Sequence, residues 1–243
     1  IALVTAGPGF ANALSALYVA KMAESPMVLL SGHAPTNQLG RGAFQEMAQS
    51  DMARPVTKAS WTVDDATQIG SSVTRAMALA KSGRPGPVQV SLPVDLLEAL
   101  VVDLGPDSET ADEDSNALIS QKDATDTLEL LLGSRRPLVL AGPALTRGRG
   151  RQLANSFAEK SGVPVVAMES PRGINDPSLG ALAEVLAQAG TVLLLGKKLD
   201  FTLGFGEPPS LAPECRLVQI DSEPQVLEQT QRVLSDPSRL ALS

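Results

Sequence analysis

The chain has 243 residues, 43% of them apolar, and 20 Lys+Arg stand against 27 Asp+Glu for a net charge of -7. That apolar share excludes a disordered chain, the acidic balance excludes a nucleic-acid binder, and no apolar run approaches the ~20 residues needed to span a bilayer. One Cys, one His and 3% aromatic residues exclude an internal disulfide framework, a multi-His metal centre and a base-stacking platform, and the lone Cys215 fits a reducing, cytoplasmic compartment.

Residues 1–5 (Ile-Ala-Leu-Val-Thr) read as a buried strand already in progress, without an initiating Met or a signal-peptide pattern, so a piece of a longer polypeptide is expected. The turn Gly7-Pro8-Gly9 leads into a helix carrying Leu14, Leu17, Tyr18 and Met22. Pro26 breaks it, and residues 27–30 form an apolar strand. A polar stretch runs from Gly32 to Glu46. Asp65 offers an N-cap for a helix with Ile69, Val73 and Met77 on one side, and Gly83-Arg84-Pro85-Gly86 stops it before a strand over residues 87–92. Acidic residues between Asp103 and Asp123 read as a solvated linker.

The second block repeats the alternation. A helix over residues 125–132 carries Leu128, Leu131 and Leu132. A strand over 137–141 is followed by a helix through Leu153 and Phe157, a strand over 163–168, a helix over 182–186, and strands over 191–195 and 216–220. Nearly continuous apolar strands alternating with amphipathic helices predict α/β domains with parallel sheets covered on both faces. The expected division is a three-layer domain over 1–102 that is incomplete at its N-terminus, a linker over 103–124, and a doubly wound, Rossmann-like domain over 125–243.

Candidate chemistry is sparse. The run Thr5-Ala6-Gly7-Pro8-Gly9-Phe10-Ala11-Asn12 takes a strand through a glycine-bracketed turn into a helix. Such a turn either lets backbone groups approach a ligand or simply needs Gly to close. In Gly40-Arg41-Gly42-Ala43-Phe44-Gln45-Glu46, Gln45 either reaches a cleft, where its amide donates and accepts, or lies in an exposed loop anchored by Phe44. His33 has no carboxylate partner in sequence and reads as a loop residue, and Cys215 reads as a small hydrophobe. No nucleophile–base pair, phosphate loop, dinucleotide fingerprint or metal-ligand spacing occurs, so any reactive group is expected to come from a cofactor.

Taken together, Thr5 to Asn12, Pro26-Met27-Val28-Leu29-Leu30-Ser31-Gly32, Gly42-Ala43-Phe44-Gln45-Glu46, Arg54-Pro55-Val56-Thr57-Lys58 and Gly83-Arg84-Pro85-Gly86-Pro87-Val88-Gln89-Val90-Ser91-Leu92-Pro93-Val94-Asp95 resemble one family. It is the pyrimidine-binding domain of thiamine-diphosphate-dependent enzymes of the acetolactate synthase, 2-hydroxyacyl-CoA lyase and oxalyl-CoA decarboxylase group. Arg136 to Gly142, Leu195-Gly196-Lys197-Lys198-Leu199-Asp200-Phe201 and Val218-Gln219-Ile220-Asp221 resemble the central domain of that group.

The resemblance implies an enzyme, lyase or transferase, that makes or breaks a C–C bond next to a carbonyl. Its substrate would be a 2-oxo acid or a 2-hydroxyacyl-CoA, its cofactors thiamine diphosphate and Mg. Gly7, Pro8, Gly9 and Asn12 match cofactor-lining positions, Gln45 matches a catalytic amide that also touches the cofactor, and Phe44 matches a substrate-pocket position. The activating glutamate and the Mg-diphosphate motif match nothing here, so this segment is expected to be inactive alone, with the Mg site elsewhere. Val94 departs from the Lys that some acetolactate synthases carry. Gly142, Gly148, Gly150 and Arg147, Arg149 and Arg151 form either a phosphate-friendly loop or a solvated turn. The missing Arg-Phe-Asp-Asp-Arg run favours CoA or ADP over FAD in the central domain. A homodimer or homotetramer is implied, and the alternative is a non-catalytic nucleotide-binding or assembly module of the same fold.

Overall fold

Short apolar runs closed off by Pro or Gly become strands, and the longer patterned stretches between them become the helices that cover the resulting sheets. The computed structural model describes residues 1–101, 118–169 and 172–242, in two compact units, Ile1–Ser115 and Asn116–Ser243.

The first unit runs β1 (Ala2–Val4), α1 (Pro8–Met22), β2 (Met27–His33), α2 (Gln49–Ala53), β3 (Ala59–Thr62), α3 (Ile69–Lys81), β4 (Pro87–Pro93) and α4 (Val94–Leu97). Its four strands are parallel in the order β1-β2-β4-β3. Side-chain alternation splits β2 between two cores. Val28 joins Val88, Val90, Ala76 and Ala80 on the α3 side. Leu29 joins Phe10, Leu17 and Ala53 on the α1 and α2 side. All seven residues of β4 are buried, as a central parallel strand requires.

The second unit runs α5 (Gln121–Leu132), β5 (Pro137–Ala141), α6 (Gly148–Ser161), β6 (Val165–Ala167), α7 (Leu182–Leu186), β7 (Thr191–Leu195), β8 (Arg216–Ile220), α8 (Pro224–Val233) and β9 (Leu240–Leu242). Its five parallel strands are ordered β6-β5-β7-β8-β9. Counted within the unit this is 2-1-3-4-5, a doubly wound order whose direction of winding reverses between β5 and β7. Leu140, Val192 and Leu194 pack with Leu186 and Leu217 on one face. Val139, Leu193 and Val218 pack with Leu131 and Val163 on the other. Each unit is therefore a three-layer parallel α/β sandwich.

Several local expectations need correcting. Within the described residues β1, expected to be buried, is covered only on its α1 side, and Leu3 on the other side is exposed. On α3 the sheet is met by Ala76 and Ala80, while Met77 faces solvent. Small side chains let that helix lie close to the strands. On α5 only Leu131 of the three expected leucines is buried, and on α6 Ala154 is buried while Leu153 is exposed. Helix α5 begins at Gln121 rather than near 125, because the Ser120 hydroxyl accepts the Asp123 N–H at 3.1 Å and Asp123 favours the positive end of the helix. Residues 102–117, and with them most of the acidic stretch, lie outside the described residues, as do 170 and 171.

Candidate functional site

The carboxyl ends of the parallel strands in the first unit gather the turn after β1, the loop after β2 and the loop after β4. Gly7 occupies the first of these. Its φ of 60° and ψ of -113° suit only a residue without a side chain, and Pro8 then starts α1 with its fixed φ. A Cβ built on Gly7 would stand 2.8 Å from the Cβ of Gln45 and 3.1 Å from its carbonyl oxygen. The turn and the Gln45 backbone, itself at φ 59°, are thus in direct contact. Two segments far apart in sequence form one wall because glycine lets them touch.

Around that contact the expected residues are disposed as follows. Pro8 and Asn12, one helical turn apart on α1, are both exposed, and Gln45 is half-buried. Gly9 packs beneath the turn, where an added Cβ would meet Thr5 Cγ2 at 2.4 Å. Phe44 is 85% exposed and anchors nothing. Among the described residues, neither the Asn12 nor the Gln45 side-chain amide is engaged in a hydrogen bond.

The acid next to Gln45 is not a base in waiting. Glu46 accepts the N–H groups of Gly40 (2.5 Å) and Ala43 (3.1 Å), and these bonds hold its carboxyl below the ordinary carboxylate value. It clamps its own loop. Asp95 does the same between loops: it accepts the Thr36 N–H at 3.0 Å and the Thr36 hydroxyl, which lowers its pKa. His33, the last residue of β2, is buried, and in its Nε2–H tautomer it donates to the Met47 carbonyl at 3.0 Å.

One residue beneath the wall escaped the sequence reading. Gln49, the first residue of α2, is only 1% exposed. Its Oε1 accepts the Gly7 N–H at 3.0 Å, and of the two N–H groups on Nε2 one donates to the Gly32 carbonyl at 2.9 Å while the other is shared between Ser31 Oγ and Ser91 Oγ at 3.2 Å each. A polar side chain four residues past Gln45 carries no periodic signal that would have marked it as buried.

In the second unit, a cavity of about 670 Å³ opens beyond β5 and β6, with Thr146, Arg151, Asn155 and Glu169 among its lining. The arginines do not gather there as one cluster. Arg147 pairs with Glu169 at 3.5 Å, and Arg151 lines the cavity. Gly142 serves packing: a Cβ there would lie 1.9 Å from the Gly196 carbonyl oxygen, so the chains leaving β5 and β7 stay in contact past the sheet. Cys215 is buried, and desolvation pushes its thiol up to about 11.

An aminopyrimidine is flat, neutral, apolar on its faces and polar at its edges. The wall offers an exposed pyrrolidine, two unengaged neutral amides and backbone, which suits such a ring. A diphosphate would need cations or clustered N–H groups, and these residues provide neither.

The first unit is thus a parallel α/β unit with a neutral, amide-bearing turn at its strand ends, and the same chain carries a doubly wound α/β unit. Comparison with known proteins makes this specific. Residues 1–52 match the model described as thiamine pyrophosphate enzyme, N-terminal TPP binding domain, and residues 124–240 match thiamine pyrophosphate enzyme, central domain. The chain belongs to the thiamine pyrophosphate enzymes. It is 30% identical to oxalyl-CoA decarboxylase of Escherichia coli (strain K12), over 94% of this chain and 42% of that protein. It is 32% identical to acetolactate synthase 1, chloroplastic, of Zea mays, over 92% and 37%. It is 28% identical to acetolactate synthase of Mycobacterium bovis, over 92% and 38%. The chain thus spans about two-fifths of the length of these relatives.

Proposed function

We propose that this chain is the pyrimidine-side and central portion of a thiamine-diphosphate-dependent lyase or carboligase acting on a 2-oxo acid or a 2-hydroxyacyl-CoA. The observation that carries the reading is the contact between the Gly7 turn and Gln45, flanked by exposed Pro8 and the unengaged amides of Asn12 and Gln45. When bound, the cofactor supplies a carbanion equivalent and an electron sink for a bond next to a carbonyl. In this reading Pro8 packs against the pyrimidine and Asn12 holds its polar edge. Gln45 would hydrogen-bond an oxygen of the bound substrate, and as a neutral amide it would do so without acting as a proton donor of carboxylic strength. Mg and the acid that activates the ring come from protein outside this chain, and the working unit is a cytoplasmic homodimer or homotetramer. The cavity beyond β5 and β6 is the place for a CoA or ADP moiety. Among the described residues, Arg151 and Glu169 are the charged groups of its lining, so its charge is close to balanced, which suits the ribose and adenine better than the phosphates.

The test is hydrogen–deuterium exchange at thiamine C2 with Mg present. The full natural polypeptide accelerates it and the 243-residue chain alone does not. No acceleration by the full polypeptide would leave the non-catalytic module as the reading, and acceleration by the isolated chain would refute the division of labour.

A further inference from the structure

The amide of Gln49 joins the ends of three strands. Its carbonyl holds the Gly7 N–H just beyond β1, and its NH2 group holds the Gly32 carbonyl and the Ser31 hydroxyl of β2 together with the Ser91 hydroxyl of β4. Ser31 and Ser91 face each other in register and lie 3.3 Å apart, oxygen to oxygen. The Gln89 side chain bonds both hydroxyls from the β4 side, at 2.9 and 2.8 Å. All four side chains are at most 1% exposed. Every polar atom that faces Gln49 in this cluster is hydrogen-bonded, the Gln89 Oε1 on the far side alone being buried without a partner, and such a dense set of mutual bonds fixes the geometry around the Gln49 amide.

That geometry determines where Gly7 sits against Gln45. The gap between them has no slack for a Cβ, so releasing the Gly7 N–H shifts the wall itself. Gln49 is also tied to the Gln45 loop by sequence, and His33 fastens the intervening Met47 carbonyl.

We propose that Gln49 is a positioning residue for the cofactor: it never touches the ligand but holds the Gly7–Pro8 turn and Gln45 in register for the pyrimidine. This rests on the reading of that wall given under Proposed function. No polar side chain but an amide presents a strong acceptor upward to Gly7 and two donors downward to the strand ends without bringing in charge.

The experiment uses the full natural polypeptide with Gln49→Leu and Gln49→Glu, and the fraction folded is checked by circular dichroism and the urea unfolding transition. Two quantities are read without turnover: the dissociation constant for thiamine diphosphate with Mg, and amide hydrogen exchange at Gly7 without cofactor. Q49L removes both arms of the amide, so the constant should rise roughly tenfold or more, and Gly7 should lose protection, because a buried N–H is left unpaired. Q49E keeps an acceptor for Gly7 at every pH but donates only while protonated. It should bind within about threefold of wild type at low pH and weaken as pH rises through the ionisation of the introduced carboxyl, while wild type and Q49L show no such added dependence. If Q49L fails to fold, the pH profile of Q49E decides. Protection of Gly7 unchanged in Q49L, or a dissociation constant within twofold of wild type in folded Q49L, or a Q49E profile parallel to wild type, would overturn the proposal. If wild type itself binds no thiamine diphosphate, the cofactor reading falls and the positioning proposal falls with it, whereas weak binding confined to the variants implicates Gln49 alone.

Discussion

Replacing Gly7 by alanine should be among the most damaging small changes available in the first unit. Two costs add. A residue with a side chain held at φ 60° and ψ -113° carries roughly 1–3 kcal/mol of backbone strain. The new Cβ would also stand 2.8 Å from Gln45 Cβ, and forcing an extra methyl into a filled site costs typically about 1–3 kcal/mol. The sum, on the order of 2–6 kcal/mol, is a large part of the ~5–15 kcal/mol that holds a domain together. Trp61 lies on β3 of the same unit, with the Arg75 guanidinium 5.1 Å from its ring, so its fluorescence reports this unit. In urea, at a slope of about 2 kcal/mol/M, Gly7→Ala should lower the Trp61 transition midpoint by about 1–3 M with that slope unchanged. A stability change below about 0.5 kcal/mol, the range of neutral surface substitutions, would refute the geometry assigned to the turn.

Two further predictions concern titratable groups. Glu46 has its folded-state pKa lowered by the Gly40 and then the Ala43 N–H, so its clamp is complete above the ordinary 4.5 and is lost as pH falls through the lower folded value. The amide resonances of Gly40 and Ala43 should shift together with a midpoint below 4.5, and a midpoint above it, or no shift between pH 6 and 3, would contradict the clamp. Cys215, with its thiol pushed up to about 11 by burial, should stay unmodified by a disulfide reagent at pH 8 until the protein is unfolded, and rapid stoichiometric labelling of the folded protein would show the burial to be wrong.

The fold was most legible where continuous apolar runs meet Pro or Gly. Strands β5 and β7 fall where the sequence places them, because a parallel strand buried on both faces needs an unbroken apolar run and the flanking turn residues bound it, and β8 falls there too although Gln219 interrupts its run. Strand β3 and helix α2 went unread. Ala59 to Thr62 are all half-buried without alternation, and α2 spans five residues whose first is a polar side chain turned inward. Helix faces were misjudged where size and burial part company: Ala76, Ala80 and Ala154 meet the sheets while Met77 and Leu153 do not. The site shows the same limit. Spacing of Gly, Pro and amides marked Gly7, Pro8, Asn12 and Gln45, and resemblance supplied their roles. The three-strand tie through Gln49 depends on tertiary contacts that no local pattern encodes.

The most direct measurement is a crystal structure of the full natural polypeptide with thiamine diphosphate and Mg. The account predicts the aminopyrimidine ring seated on the wall made by Pro8, Asn12 and Gln45, with the Gly7 N–H still bound to Gln49. A ring held elsewhere, with Asn12 and Gln45 turned to solvent, would contradict it.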